Sequence, residues 1–72
     1  MMENFQIENN LRVLRFQNGE MTQEELAQRA GVTRQTINAI EASRYSPSLE
    51  LAFRIAKVFD KPLENVFRYT KV

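Results

Sequence analysis

Apolar residues recur along this chain at intervals of three and four, and the pattern is interrupted at Gly19, Gly31, Pro47 and Pro62. Residues spaced this way share one face of a helix, so the pattern predicts five short helical segments joined by tight turns. No segment carries the sustained Val/Ile/Thr alternation of a strand, and there is no internal repeat. The first helix is expected from Asn9 or Asn10 to Asn18, with Leu11 and Leu14 on its inner face and Gly19 placed to end it. Thr22-Gln23-Glu24-Glu25 opens the second helix as a capping box. The threonine hydroxyl can accept from the third amide of the helix, and Glu25 can reach back to the cap. Leu26, Ala27 and Ala30 form its inner stripe, and Gly31 stops it.

Thr33 caps a third helix that ends at Ala42, with Ile37 and Ile40 turned inward. Ser48 caps a fourth at 49–59, the most apolar of the set, and Asp60-Lys61-Pro62 leads into a short fifth at about 62–67. Residues 1–8 are set apart as an N-terminal arm or tail, residues 9–67 as the folded domain and residues 68–72 as a C-terminal tail. The first eight residues have three readings: an arm, a strand that pairs with the tail, or a disordered segment.

The outward face of the third helix is chemically unlike an ordinary solvent face. It offers Thr33, Arg34, Gln35, Thr36 and Asn38 with no acid among them, whereas the second helix shows Glu24, Glu25, Gln28 and Arg29. Arginine can bond guanine O6 and N7 together, and Asn or Gln can do the same for adenine N6 and N7. Two short helices joined at a glycine turn, with small Ala27 where they approach, form the outline of a helix-turn-helix over residues 22–42.

Composition narrows the alternatives. Seventy-two residues make one domain with a thin core. There is no cysteine or histidine, so disulfides, the common Cys/His zinc sets and the usual nucleophile–base pairs are all missing. No phosphate-cradling glycine loop is present either, so an enzyme is not expected, nor is a cofactor or a metal. Glu24 and Glu25 are adjacent on a helix, point in different directions, and read as capping and surface charge. No apolar run approaches the roughly 20 residues of a membrane span, and the N-terminus has no signal-peptide pattern, so a soluble cytoplasmic protein is expected. The net charge is only +1, but it is polarised. Residues 1–28 set Arg12 and Arg15 against five glutamates, while residues 29–72 set eight basic residues against Glu41, Glu50, Asp60 and Glu64. Folding can turn that split into a basic face, although a short chain can also show one by chance.

Three stretches carry a family resemblance: Met21-Thr22-Gln23-Glu24-Glu25-Leu26-Ala27, Ala30-Gly31-Val32-Thr33-Arg34-Gln35-Thr36-Ile37 with Ile40-Glu41, and Tyr45-Ser46-Pro47-Ser48-Leu49-Glu50-Leu51-Ala52 with Ile55-Ala56. Together they resemble the Xre/Cro family of helix-turn-helix regulators, which includes phage repressors, over about residues 10–67. The resemblance implies an all-α, compact five-helix domain of the lambda-repressor type that binds double-stranded DNA, often as a homodimer on an inverted repeat. It places Gln23, Thr33, Thr36 and Arg44 at phosphate. It places Arg34, Gln35 and Asn38 at base edges, and Ala39 where only an apolar contact is available, for instance to a thymine methyl. Arg15 and Glu41 match positions that form an ion pair in some members; the other reading turns Arg15 outward to a phosphate. Two departures from the family pattern stand out: Ser43 where glycine is common, and an Asn18-Gly19-Glu20 joint one residue longer than in many relatives.

The function implied is sequence-specific transcriptional regulation, as a repressor at the nucleoid. The alternative is a protein-interaction module such as an antitoxin or a regulator's partner. For that reading Leu51, Phe53, Val58, Val66 and the tail 67–72 are the candidate apolar contacts.

Overall fold

The computed structural model describes residues 4–72; the first three residues of the expected arm lie outside the described residues. The order is strand β1 (Phe5–Asn9), helices α1 (Leu11–Gln17), α2 (Gln23–Ala30), α3 (Arg34–Glu41) and α4 (Leu49–Val58), a single 3-10 turn at Leu63–Asn65, and strand β2 (Phe67–Lys71).

Each main helix starts where its cap places it. The Thr22 hydroxyl accepts from the Glu25 amide while the Glu25 carboxylate accepts from the Thr22 amide, which completes the capping box. Thr33 accepts from the Thr36 amide, and Ser48 from the Leu51 amide. At α1 the cap residue Asn10 contributes no such bond; instead Asn9 Oδ1 accepts from the Leu11 amide at 3.1 Å. Gly31 ends α2 at φ +77°, in the left-handed region that glycine enters without steric cost. A Cβ there would also come within 3.0 Å of the Arg54 guanidinium, whose Nη1 donates to the last carbonyl of α2, on Ala30, at 2.9 Å.

The inward stripes meet in one core. Leu11 and Leu14 of α1, Leu26, Ala27 and Ala30 of α2, Ile37 and Ile40 of α3, and Leu51, Ile55 and Ala56 of α4 are buried together, with Met21, Phe59 and Val66 closing the ends. Small side chains at Ala27 and Ala30 allow the helices of the turn to approach closely.

Two expectations need correction. Among the described residues the fold is four helices with a two-stranded sheet, not an all-α five-helix bundle. The expected fifth helix shrinks to the 3-10 turn because Val66 is pulled into the core and the chain then extends as Phe67-Arg68-Tyr69-Thr70-Lys71, a sequence of alternating faces with aromatic and β-branched residues. That segment pairs antiparallel with β1, Ile7 opposite Tyr69 and Glu8 opposite Arg68. Of the three readings of the first eight residues, the strand that pairs with the C-terminal segment is the one observed, beginning at Phe5, and the segment 68–72 is its partner rather than a free tail. The sheet is joined to the helices by Asn9 Nδ2 donating to Ile40 O at 3.0 Å, by the Asn10 amide donating to Val66 O at 2.9 Å, and by Phe67 packed on the core. A two-stranded ribbon is marginal alone, so this attachment is what holds it.

Candidate nucleic-acid interface

The buried pair Ile37 and Ile40 decides which way α3 faces. With those side chains 0% and 1% exposed, the opposite side of the helix must project from the body. Arg34, Gln35 and Asn38 are exposed there, and Ala39 is half-buried at the edge. Among the described residues Arg34 and Gln35 make no side-chain hydrogen bond, so their donors and acceptors are available. Thr33 and Thr36 are partly engaged with each other, their hydroxyls 3.1 Å apart. Both stand at the first turn of α3, where the unpaired amides favour an anion.

Behind this face lies a mostly buried ion pair. Arg15 of α1 donates to Glu41 of α3 through Nε at 2.6 Å and through Nη2 at 3.0 Å, with both side chains at most 16% exposed. Its Nη1 donates to Met21 O at 2.8 Å, so one guanidinium fastens α1, the joint before α2 and the end of α3. Arg15 therefore points inward here and not to solvent. The paired geometry is the two-bond fork that arginine makes with a carboxylate.

Several connections were not legible in the sequence. Gln23, at the first position of α2, donates from Nε2 to Glu41 Oε1 at 3.1 Å and accepts at Oε1 from Asn38 Nδ2 at 3.3 Å. Arg44, in the loop after α3, donates to Asn38 Oδ1 at 3.0 Å. These partners are 6 to 18 positions apart in the chain, beyond any local periodicity. Arg12 is another addition. It lines an open groove of about 400 Å³ beside Gln23 and has no hydrogen-bond partner among the described residues. The Arg54 bond to the end of α2 likewise joins residues 24 positions apart.

Some named residues do not belong to any surface. Leu51 and Val66, candidates for a partner contact, are 5% and 0% exposed and fill the core. Phe53, by contrast, is 54% exposed on α4. Among the described residues no group of acidic or histidine side chains is arranged to hold a metal ion, and no helix is long and apolar enough to cross a membrane.

The Glu25 carboxyl is held below its usual range. The largest cause is the backbone hydrogen bond it accepts at Thr22, followed by the Thr22 side chain; burial opposes them, and the Arg29 charge adds the least.

A helix-turn-helix whose second helix projects a polar, acid-free face is the class of domain defined by this geometry. The family model described as helix-turn-helix matches residues 11–66. An uncharacterized HTH-type transcriptional regulator from Methanocaldococcus jannaschii is 57% identical over 49 residues, covering 68% of this chain and 74% of that protein. YgzD of Bacillus subtilis, likewise an uncharacterized HTH-type transcriptional regulator, is 46% identical over 61 residues, 85% of this chain and 91% of its own. The fold is also similar to a solved structure of a candidate DNA-binding protein from Bacteroides fragilis, with a TM-score of 0.73 at 19% identity, covering 86% of this chain and 98% of that one. The chain belongs to the Xre/Cro-type helix-turn-helix family, a family of DNA-binding transcriptional regulators and not an enzyme class.

Proposed function

We propose that this protein binds double-stranded DNA sequence-specifically, with α3 in the major groove, and acts as a repressor at its operator. The observation that carries the reading is the outward face of α3, where Arg34 and Gln35 stand exposed with no competing partner among the described residues. Arg34 and Gln35 read base edges, Asn38 adds a third contact and Ala39 an apolar one. Gln23, Thr33, Thr36 and Arg44 hold the phosphates on either side, which sets register, and Arg12 beside Gln23 adds a further positive charge. The Arg15–Glu41 pair is scaffolding for the reading helix. Occupying an operator is enough to block a polymerase and needs no further surface, so repression is the simplest mode. The protein acts where the chromosome is, in the cytoplasm at the nucleoid.

The working unit is a homodimer on an inverted repeat, with two copies of α3 about one helical turn, ~34–36 Å, apart. Exposed apolar side chains are available for such a contact, Phe53 on α4 and the stacked pair Phe5 and Tyr69 on the sheet, with ring centroids 5.0 Å apart. The same side chains are what favour the second reading, a protein-interaction module. Selection of the purified protein from random duplex DNA at near-physiological salt separates the two. Enrichment of an inverted repeat is the expected result. A folded sample that enriches nothing would sink the DNA reading and leave the protein-partner one.

A further inference from the structure

The side chains around Asn38 form a directed relay. One end is Glu41, whose carboxylate can only accept; the other is Arg44, whose guanidinium can only donate. Between them lie two carboxamides whose oxygen and nitrogen ends could in principle be exchanged. The termini remove that freedom. Glu41 requires the Gln23 nitrogen to face it, so the Gln23 oxygen faces Asn38. That oxygen requires the Asn38 nitrogen, and the Asn38 oxygen is left for Arg44. Every donor points toward one carboxylate, which is itself fixed by two bonds from Arg15. The assignment is consistent at each step, and reversing either amide would set donor against donor or acceptor against acceptor.

From this geometry we infer that Gln23, Glu41 and Arg44 are positioning residues that lock the Asn38 carboxamide in one orientation, its donor end toward α2 and its acceptor end toward the loop after α3. One N–H and one oxygen lone pair of Asn38 remain unused, enough for a two-bond contact to a base edge. With donor and acceptor fixed in place, Asn38 distinguishes a base pair from the same pair reversed, because reversal moves the groove-edge donor and acceptor to the other strand. The inference rests on the reading of Asn38 as a base contact and adds to it the residues that set its polarity. It gives Gln23 a second role beside a phosphate contact, through the Nε2 hydrogen that Glu41 does not take.

The test compares wild-type protein with Asn38→Ala, Gln23→Met and Arg44→Ala, each shown to be folded by circular dichroism, on the enriched operator and on duplexes with single pairs reversed. Asn38→Ala identifies the base pair that Asn38 reads. At that pair the preference for the correct over the reversed orientation is expected to fall roughly threefold or more in both Gln23→Met and Arg44→Ala, a sizeable part of what a two-bond contact supplies. Preferences at the other pairs should persist. In the DNA-free wild type, the Asn38 side-chain NH2 signals should report a single rigid orientation by NMR, lost in Gln23→Met. An even loss of affinity with the orientation preference intact would overturn the inference and leave Gln23 and Arg44 as phosphate contacts alone. If Asn38→Ala altered no base pair while the NMR signals remained rigid, the reading of Asn38 as a base contact would fail, and the inference with it.

Discussion

Helices α2 and α3 are built to the same plan and face the solvent with different chemistry. Each has eight residues, starts at a threonine that accepts a hydrogen bond three residues on, and buries a stripe of aliphatic side chains. Their outer faces part company: Glu24, Glu25, Gln28 and Arg29 on α2, and Arg34, Gln35, Thr36 and Asn38 on α3. Scaffold and function are therefore separable along a single motif. The inner stripe and the caps settle where a helix lies; the outer face settles what it can touch. Two acids in the first turn of α2 favour its own helix dipole, whereas the first turn of α3 has none.

The largest effect should come from breaking the scaffold under α3. Ile37→Ala removes a fully buried side chain where the helix meets the core. It should cost about 2–5 kcal/mol of stability by urea denaturation and abolish binding to all sequences alike. A loss under about 0.5 kcal/mol, the range of ordinary surface changes, would mean that the core does not hold α3. Next in size are the reading contacts. Arg34→Ala or Gln35→Ala should leave the denaturation midpoint unchanged but weaken binding to the enriched operator by about 1–3 kcal/mol, with preference relaxed at one or two base pairs. The matching change on α2, Gln28→Ala, should alter neither stability nor preference. If it relaxed preference as much as Arg34→Ala, the contrast between the two helices would be wrong.

These distinctions were readable where the signal is local. The capping box at Thr22 and Glu25, the caps at Thr33 and Ser48, and the inward pairs Leu11/Leu14 and Ile37/Ile40 all depend on residues three or four apart. The sheet was not. Phe5-Gln6-Ile7-Glu8-Asn9 and Phe67-Arg68-Tyr69-Thr70-Lys71 both alternate, but each is only five residues long and gains its partner from the opposite end of the chain. The periodicity of the short segment after Pro62 is that of a helix, but Val66 enters the core and the chain leaves as a strand. The relay through Gln23, Asn38 and Arg44 was hidden for the same reason. Its residues are polar groups on separate elements, and their mutual bonds exist only once α2, α3 and the following loop are in place.

Smaller effects sharpen the comparison of the two caps. Thr22→Ala and Thr33→Ala should each cost about 1 kcal/mol, measured by thermal or urea unfolding. They should differ in pH dependence, because α2 alone carries a capping-box carboxylate. The folded-state pKa of Glu25 lies below its unfolded value, so its contribution is fully present above the unfolded value and is lost as pH falls through the folded one. The difference in unfolding midpoint between wild type and Glu25→Gln should therefore be present at neutral pH and shrink on acidification below the usual carboxylate range. A difference that stayed constant with pH would show that the Glu25 charge is not what secures the cap.

The most direct test of the central claim is the ratio of affinities for the enriched operator and a scrambled duplex, measured at one salt concentration for the wild type and for a doubly substituted protein carrying Arg34→Ala and Gln35→Ala. With the fold shown intact, the account predicts that the ratio falls by most of its value in the double variant, down to the smaller preference that Asn38 and Ala39 still supply, while scrambled-duplex binding falls only by the share of one lost positive charge. A ratio that survives both substitutions would contradict it, and would mean that the outward face of α3 does not read the sequence.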